Sequence, residues 1–198
     1  MSFDFSEWIE AYGKVAPDES IEYKDDSGAW CEETDYRLGS ISSEFQRRGY
    51  ITREELRKIG AWKAGGRIDH HIRKNSVSSV KDQSELALQS SGDVEAVEEL
   101  TKLTGVRVPM ASTILTMAKP TEFAIIDYRA LRALGAVKPE LLDAQSYTDY
   151  STFMECFRNP TSEGYIFYMD IVREIAQQEG LSTREVDMAL WAYDKSMA

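Results

Sequence analysis

Residues 103–112 read Leu103-Thr104-Gly105-Val106-Arg107-Val108-Pro109-Met110-Ala111-Ser112. The stretch before them, 93–103, has the spacing of a helix, and Gly105 is the residue type that turns a chain sharply at a helix end. Pro109 suits the first turn of a following helix, where no amide N–H is needed. Two helices joined by a tight turn are therefore predicted. The start of the second helix leaves N–H groups without intrahelical acceptors, and the helix dipole adds partial positive charge there. Such a place suits phosphate. An ordinary corner between two helices has the same sequence signature.

Working outward, the pattern is helical almost throughout. Phe5, Trp8, Ile9 and Tyr12 recur at helical spacing, as do Tyr36, Ile41 and Phe45 before Gly49. Thr52-Arg53-Glu54-Glu55 has the form of a capping box opening a helix through Leu56, Ile59 and Trp62, which Gly65-Gly66 ends. Further helices are predicted near 67–74, 77–90, 112–117, 127–134 (closed by Gly135), 146–157 and 164–178. The last opens at Ser182-Thr183-Arg184-Glu185 and buries Val186, Leu190 and Tyr193, with Asp187 breaking that face as a tie to a partner such as an Arg. The acidic stretch between the first two helices reads as loop, and no strand is predicted. The expected class is all-α. Residues 1–198 form one helical domain, with a hairpin core at about 93–135, an N-terminal basic region at 47–81 and C-terminal helices at 146–195 packing back. Two small helical lobes flanking a cleft are expected within it.

Composition sets outer limits. The 198 residues are 42% hydrophobic, enough for a core, and no apolar run reaches the roughly 18 residues that a membrane span needs. Cys31 and Cys156 make neither a disulfide framework nor a metal site. The N-terminus lacks a basic-then-apolar leader, so a cytoplasmic protein is expected. Net charge is -11, which speaks against loose nucleic-acid binding by bulk charge. The charge is uneven, however. Residues 47–81 hold ten basic residues, three acids and both His, a +7 segment in a chain whose remainder carries -18. The segment is read as a basic face for an anionic ligand, against the plainer reading of solvated helix faces.

The segment LTGVRVPMA resembles the helix-hairpin-helix of the DNA glycosylase superfamily that includes endonuclease III, whose hairpin reads Leu-Pro-Gly-Val-Gly-x-x-Thr-Ala. That family carries a catalytic Asp after the second hairpin helix. Ile125-Ile126-Asp127-Tyr128-Arg129-Ala130 puts Asp127 sixteen residues after Ala111, at the family spacing. Hairpin and Asp together cover about 96–135. The flanking RRGYITREEL, AWKAGGR and REVDMALWAYDK are similar to segments of an uncharacterised bacterial and archaeal family with the same hairpin. Three departures matter. Arg107 replaces the second turn glycine, Pro109 stands where some members carry a Schiff-base Lys, and no four-Cys cluster is present. Strand cleavage through an imine and an iron–sulfur centre are therefore not expected.

The resemblance implies hydrolysis of the N-glycosidic bond of a flipped damaged or modified base, in base excision or in defence against phage DNA. Asp127 is the candidate catalytic residue, though an Asp at a helix start is equally a cap. Tyr128, Tyr50, Trp62, His70 and His71 are candidates for the base pocket. Gly105, Val106, Arg107, Pro109, Ala111, Lys63, Arg67, Arg73, Lys74 and Arg129 are candidates for DNA contact. No metal ligands and no cofactor are implied, beyond a monovalent cation at the hairpin carbonyls that Arg107 sets in doubt. DNA is the expected partner of a monomer. The rivals are a non-catalytic DNA-binding module and a protein-interaction adaptor.

Overall fold

A computed structural model describes residues 3–15, 21–24, 27, 29–33, 39–65, 67–142 and 147–197. Its elements run α1 (Phe5–Val15), β1 (Ile21–Lys24), β2 (Trp30–Glu33), α2 (Gly39–Arg48), α3 (Arg53–Ala64), α4 (Asp69–Ile72), α5 (Val77–Gln89) and α6 (Asp93–Thr101). They continue with α7 (Val108–Ala118), α8 (Tyr128–Val137), a 3-10 turn (Pro139–Leu142), α9 (Tyr147–Arg158), α10 (Ser162–Glu179) and α11 (Thr183–Met197). The protein is all-α in its architecture. Two short strands correct the expectation of none: β1 and β2 pair antiparallel, Ile21 opposite Glu33 and Lys24 opposite Trp30. Four residues per strand give too short an alternation to stand out among so many acids.

The chain divides into two compact units, Met1–Ala16 with Pro120–Ala198, and Pro17–Lys119. The division falls after Lys119, inside the 93–135 stretch that the sequence presents as one core. The first helix belongs with the C-terminal ones.

In the Pro17–Lys119 unit, α3 opens as expected. Thr52 Oγ1 accepts the Glu55 N–H at 3.2 Å, and Glu55 Oε2 accepts the Thr52 N–H at 2.7 Å. Phe45, Ile51, Leu56, Ile59, Ile72, Val80, Val97, Leu100 and Ile114 are fully buried. Each such side chain contributes about 2 kcal/mol of transfer free energy. Helix α7 has no charged residue, its hydroxyls Ser112, Thr113 and Thr116 bond back to its own carbonyls, and every residue but Pro109 is buried, as expected of a helix at the centre of its core. Its last turn is met by α2, where Ser42 Oγ and Gln46 Nε2 donate to the Met117 carbonyl at 2.7 and 3.1 Å.

In the other unit, α11 packs against α1, α8 and α10. Trp8 and Tyr193 meet edge to face at 5.3 Å, as do Tyr12 and Trp191 at 5.5 Å. Residues 123–126, between Pro120 and α8, are buried without being helical. Buried irregular backbone needs partners, and side chains of α10 and α11 supply them. Tyr165 Oη donates to the Ala124 carbonyl at 2.9 Å, Tyr168 Oη to the Ile125 carbonyl at 3.2 Å, and Thr183 Oγ1 to the Phe123 carbonyl at 2.8 Å. Asp187 Oδ2 accepts the Ile125 N–H at 2.8 Å, while its Oδ1 pairs with Arg184. The Asp187–Arg184 tie is the one its place on the apolar face predicts. Gly135 does not close α8, which runs on to Val137. Its bare Cα instead admits Leu142, whose Cδ1 would lie 3.2 Å from an added Cβ.

Candidate nucleic-acid interface

The turn between α6 and α7 is built by residues from two directions. Leu103 and Val106 point into the core and pin its ends. Gly105 has φ +89°, and an added Cβ would lie 2.9 Å from His71 Cβ and 3.3 Å from the Ile72 nitrogen. Only glycine fits both the conformation and the close approach to α4. The Val106 N–H donates to the Leu103 carbonyl at 3.0 Å, and the Met110 and Ala111 N–H groups donate to the Arg107 carbonyl at 2.9 Å. Among the described residues, no acceptor meets the N–H groups of Gly105, Arg107 or Val108.

Charge collects beside this turn. Arg107, Lys74, His70 and His71 are exposed. Neither Arg107 nor Lys74 pairs with a carboxylate among the described residues. His71 registers the field: the neighbouring His70, then partial loss of water, then Lys74 and Arg107 push its pKa below the usual imidazole value. These charges and the turn therefore share a neighbourhood.

Much of the remaining 47–81 charge is met internally. Arg47 pairs with Glu44 at 2.5 Å, Arg48 with Glu55 at 2.5 Å, and Lys58 with Glu54 at 3.7 Å. Arg57, though almost wholly buried, donates to Asp69 at 2.7 Å, and Arg73 donates to the same carboxylate at 2.7 Å. The structure thus corrects the reading of Arg73 as an open DNA contact. Arg67 is exposed and donates to the Ala64 carbonyl at 3.0 Å. Lys63 and Trp62 are half-buried on the last turn of α3. Tyr50 is half-buried, with Arg48 and Lys81 at 4.8 and 5.0 Å from its ring centre. Val106 and Ala111 are buried, which removes their side chains from the DNA-contact set. Their N–H groups are spent as well. Pro109 is half-buried, and its carbonyl accepts the hydroxyls of Ser112 and Thr113 at 2.8 and 2.9 Å.

Asp127 belongs to the other unit. It is half-buried at the start of α8, where its Oδ1 accepts the Arg129 and Ala130 N–H groups at 2.9 and 3.0 Å. The cap reading of this residue is therefore realised. Tyr128 is 55% exposed, with the guanidinium carbons of Arg129 and Arg132 at 5.1 and 5.3 Å from its ring centre. Arg129, a predicted DNA contact, is engaged within the protein: Asp194 Oδ2 accepts Arg129 Nη1 at 2.9 Å and Arg132 Nη2 at 2.6 Å. Asp194 lies on the polar run Tyr193-Asp194-Lys195, and nothing in the sequence marks it as the partner.

Among the described residues, no group of His, Cys, Asp and Glu side chains is placed to hold a metal ion. No helix of theirs is long and apolar enough to cross a membrane. No family model, curated protein or solved structure matches the chain.

Proposed function

We propose that this protein is a monofunctional DNA glycosylase that binds the phosphate backbone at the 104–108 turn. The observation that carries the proposal is the turn itself. Three N–H groups without acceptors open α7 beside two cations, Arg107 and Lys74, that have no carboxylate partner among the described residues. Oriented N–H groups and nearby guanidinium or ammonium groups favour a phosphate oxygen. The resemblance of LTGVRVPMA and the spaced Asp127 to the glycosylase hairpin points the same way.

Asp127 is assigned the chemistry. In hydrolysis, a water oxygen bonds to C1′ as the bond from C1′ to the base nitrogen breaks, and the departing base takes the electron pair and a proton. Positive charge builds on the sugar in between. A carboxylate at C1′ stabilises that charge and orients the water. Asp127 suits the role because it is half-buried and follows a backbone segment fixed by Tyr165, Tyr168 and Asp187. The turn and Asp127 lie in different units.

A second reading, DNA binding without catalysis, is favoured by one observation. Asp127 Oδ1 already accepts two N–H bonds as a helix cap. The two readings separate by mass spectrometry of bases released from DNAs carrying varied lesions and modifications. Asn caps helices about as well as Asp, so Asp127→Asn keeps α8 intact. Glycosylase action predicts base release by the wild type, loss of release in Asp127→Asn, and DNA binding retained. Release that persists in Asp127→Asn removes the catalytic assignment. Binding with no release from any DNA favours the second reading.

A further inference from the structure

The only two histidines of the chain are consecutive, and both lie in α4. Neighbouring side chains in a helix leave the axis about 100° apart, so adjacent rings ordinarily diverge. Here the ring centres lie 3.9 Å apart with planes inclined at 41°. Both rings are exposed. His71 is held at its root, since its Cβ would lie only 2.9 Å from a Cβ added at Gly105.

The charges facing this pair come from each neighbouring piece of chain. Lys74 follows α4, and Arg107 comes from the turn. On the α3 side, Arg57 is tied to Asp69, which also holds Arg73, so the acid nearest in sequence is already shared between two guanidinium groups. Neither histidine has a carboxylate partner among the described residues. Lys74 and Arg107 thus act on His71 through their charge, and none of the four groups pairs with a carboxylate among the described residues. Repulsion from its neighbours opposes charging His71, whose pKa is lowered. An oxyanion held among them reverses that balance.

We infer that His70, His71, Lys74 and Arg107 form one oxyanion site for a DNA phosphodiester, and that filling it draws a proton onto the histidine pair. The inference deepens the DNA-binding reading and rests on it. A ligand that raises the proton affinity of a group binds more tightly when that group is protonated. Affinity therefore rises as pH falls through the range where imidazole titrates, and levels off once the pair is charged in the free protein.

The test is fluorescence anisotropy of a labelled DNA duplex at constant ionic strength across about pH 5.5 to 8.5, with wild type, His71→Gln and the His70→Gln/His71→Gln double variant. Alongside it, NMR of the two imidazole C–H resonances is followed through pH with and without the duplex. Expected are about tenfold tighter binding by the wild type at pH 6 than at pH 8, a nearly flat profile for the double variant, and imidazole titration moved to higher pH by DNA. Wild-type binding that is equal at both pH values, or a slope that survives the double substitution, overturns the histidine assignment and leaves DNA binding standing. Imidazole titration unmoved by bound DNA does the same. Absence of binding at every pH overturns both.

Discussion

Asn75 holds the Thr104 peptide from both sides: its Oδ1 accepts the Thr104 N–H at 2.8 Å, and its Nδ2 donates to the Thr104 carbonyl at 2.9 Å. The same Nδ2 donates to the Ile72 carbonyl at 2.9 Å. One side chain thus ties the end of α4 to the turn that opens α7. Asn75 is 7% exposed, so water cannot readily replace it. Asn75→Ala strands the Thr104 N–H and carbonyl, while the Ile72 carbonyl keeps the Asn75 backbone N–H; the loss is expected to reach about 2 to 3 kcal/mol. Asn75→Asp keeps the acceptor but turns a carboxylate oxygen toward the Ile72 and Thr104 carbonyls at a buried site, and is expected to cost at least as much. Urea unfolding measures both. A change under about 0.5 kcal/mol for Asn75→Ala, the size of an ordinary surface substitution, contradicts the clamp.

The Asp69 carboxylate makes stability depend on acid. Burial raises its pKa, but hydrogen bonds and charge from Arg57 and Arg73 outweigh that and hold it below the usual carboxylate value. The folded pKa is thus lower than the unfolded one. The stabilisation is complete above the unfolded value of about 4 and disappears as pH falls through the folded value. Wild type should therefore exceed Asp69→Asn in stability near neutrality, with the gap closing as pH drops below about 4. Urea unfolding at a series of pH values reads this directly. A gap that stays constant down to acid pH speaks against the pairing.

Cys156 is a quiet thiol. Burial pushes its pKa up to about 11, with the charge of Glu155 adding to the rise and a backbone hydrogen bond opposing it. Its Sγ lies 3.3 Å from the Thr152 and Gly164 carbonyls, where it donates. In a Cys31→Ser background, alkylation of Cys156 by iodoacetamide near neutral pH should be roughly a hundredfold slower than in the unfolded chain. Comparable rates would place the thiol in water.

How far the sequence could be read follows from where each signal lies. The Thr52–Glu55 capping box, the apolar spacing of α3 and the Gly105 turn are local, and each is realised as its residues imply. The tie of Asp187 to Arg184 is three residues long and equally local. The partners that settle site roles are not. Asn75 and Thr104 are 29 positions apart, and Arg129 and Asp194 are 65. Arg129 reads as an open cation because nothing nearby in sequence names Asp194 as its partner. For Arg73 the signal is local, since Asp69 lies four residues back, one helical turn away. Tyr165, Tyr168 and Thr183 serve the backbone of residues 123–125. That stretch reads as a short apolar run, and its need for partners appears only once it is buried without being a helix. Gly135 shows the opposite error, a helix-ending residue type kept inside α8 by the approach of Leu142.

If the 104–108 turn holds a DNA phosphate, binding will depend on salt in a way that Arg107 sets in part. Each phosphate neutralised by a protein cation contributes about -0.9 to the slope of log K against log salt on duplex DNA. Arg107→Ala, at an exposed position, removes one such cation without disturbing the core. Expected are a steep negative slope for the wild type and a slope shallower by about 1 for Arg107→Ala. Affinity should fall similarly for DNAs of different sequence. An Arg107→Ala slope and affinity equal to those of the wild type would mean that the turn does not hold the phosphate.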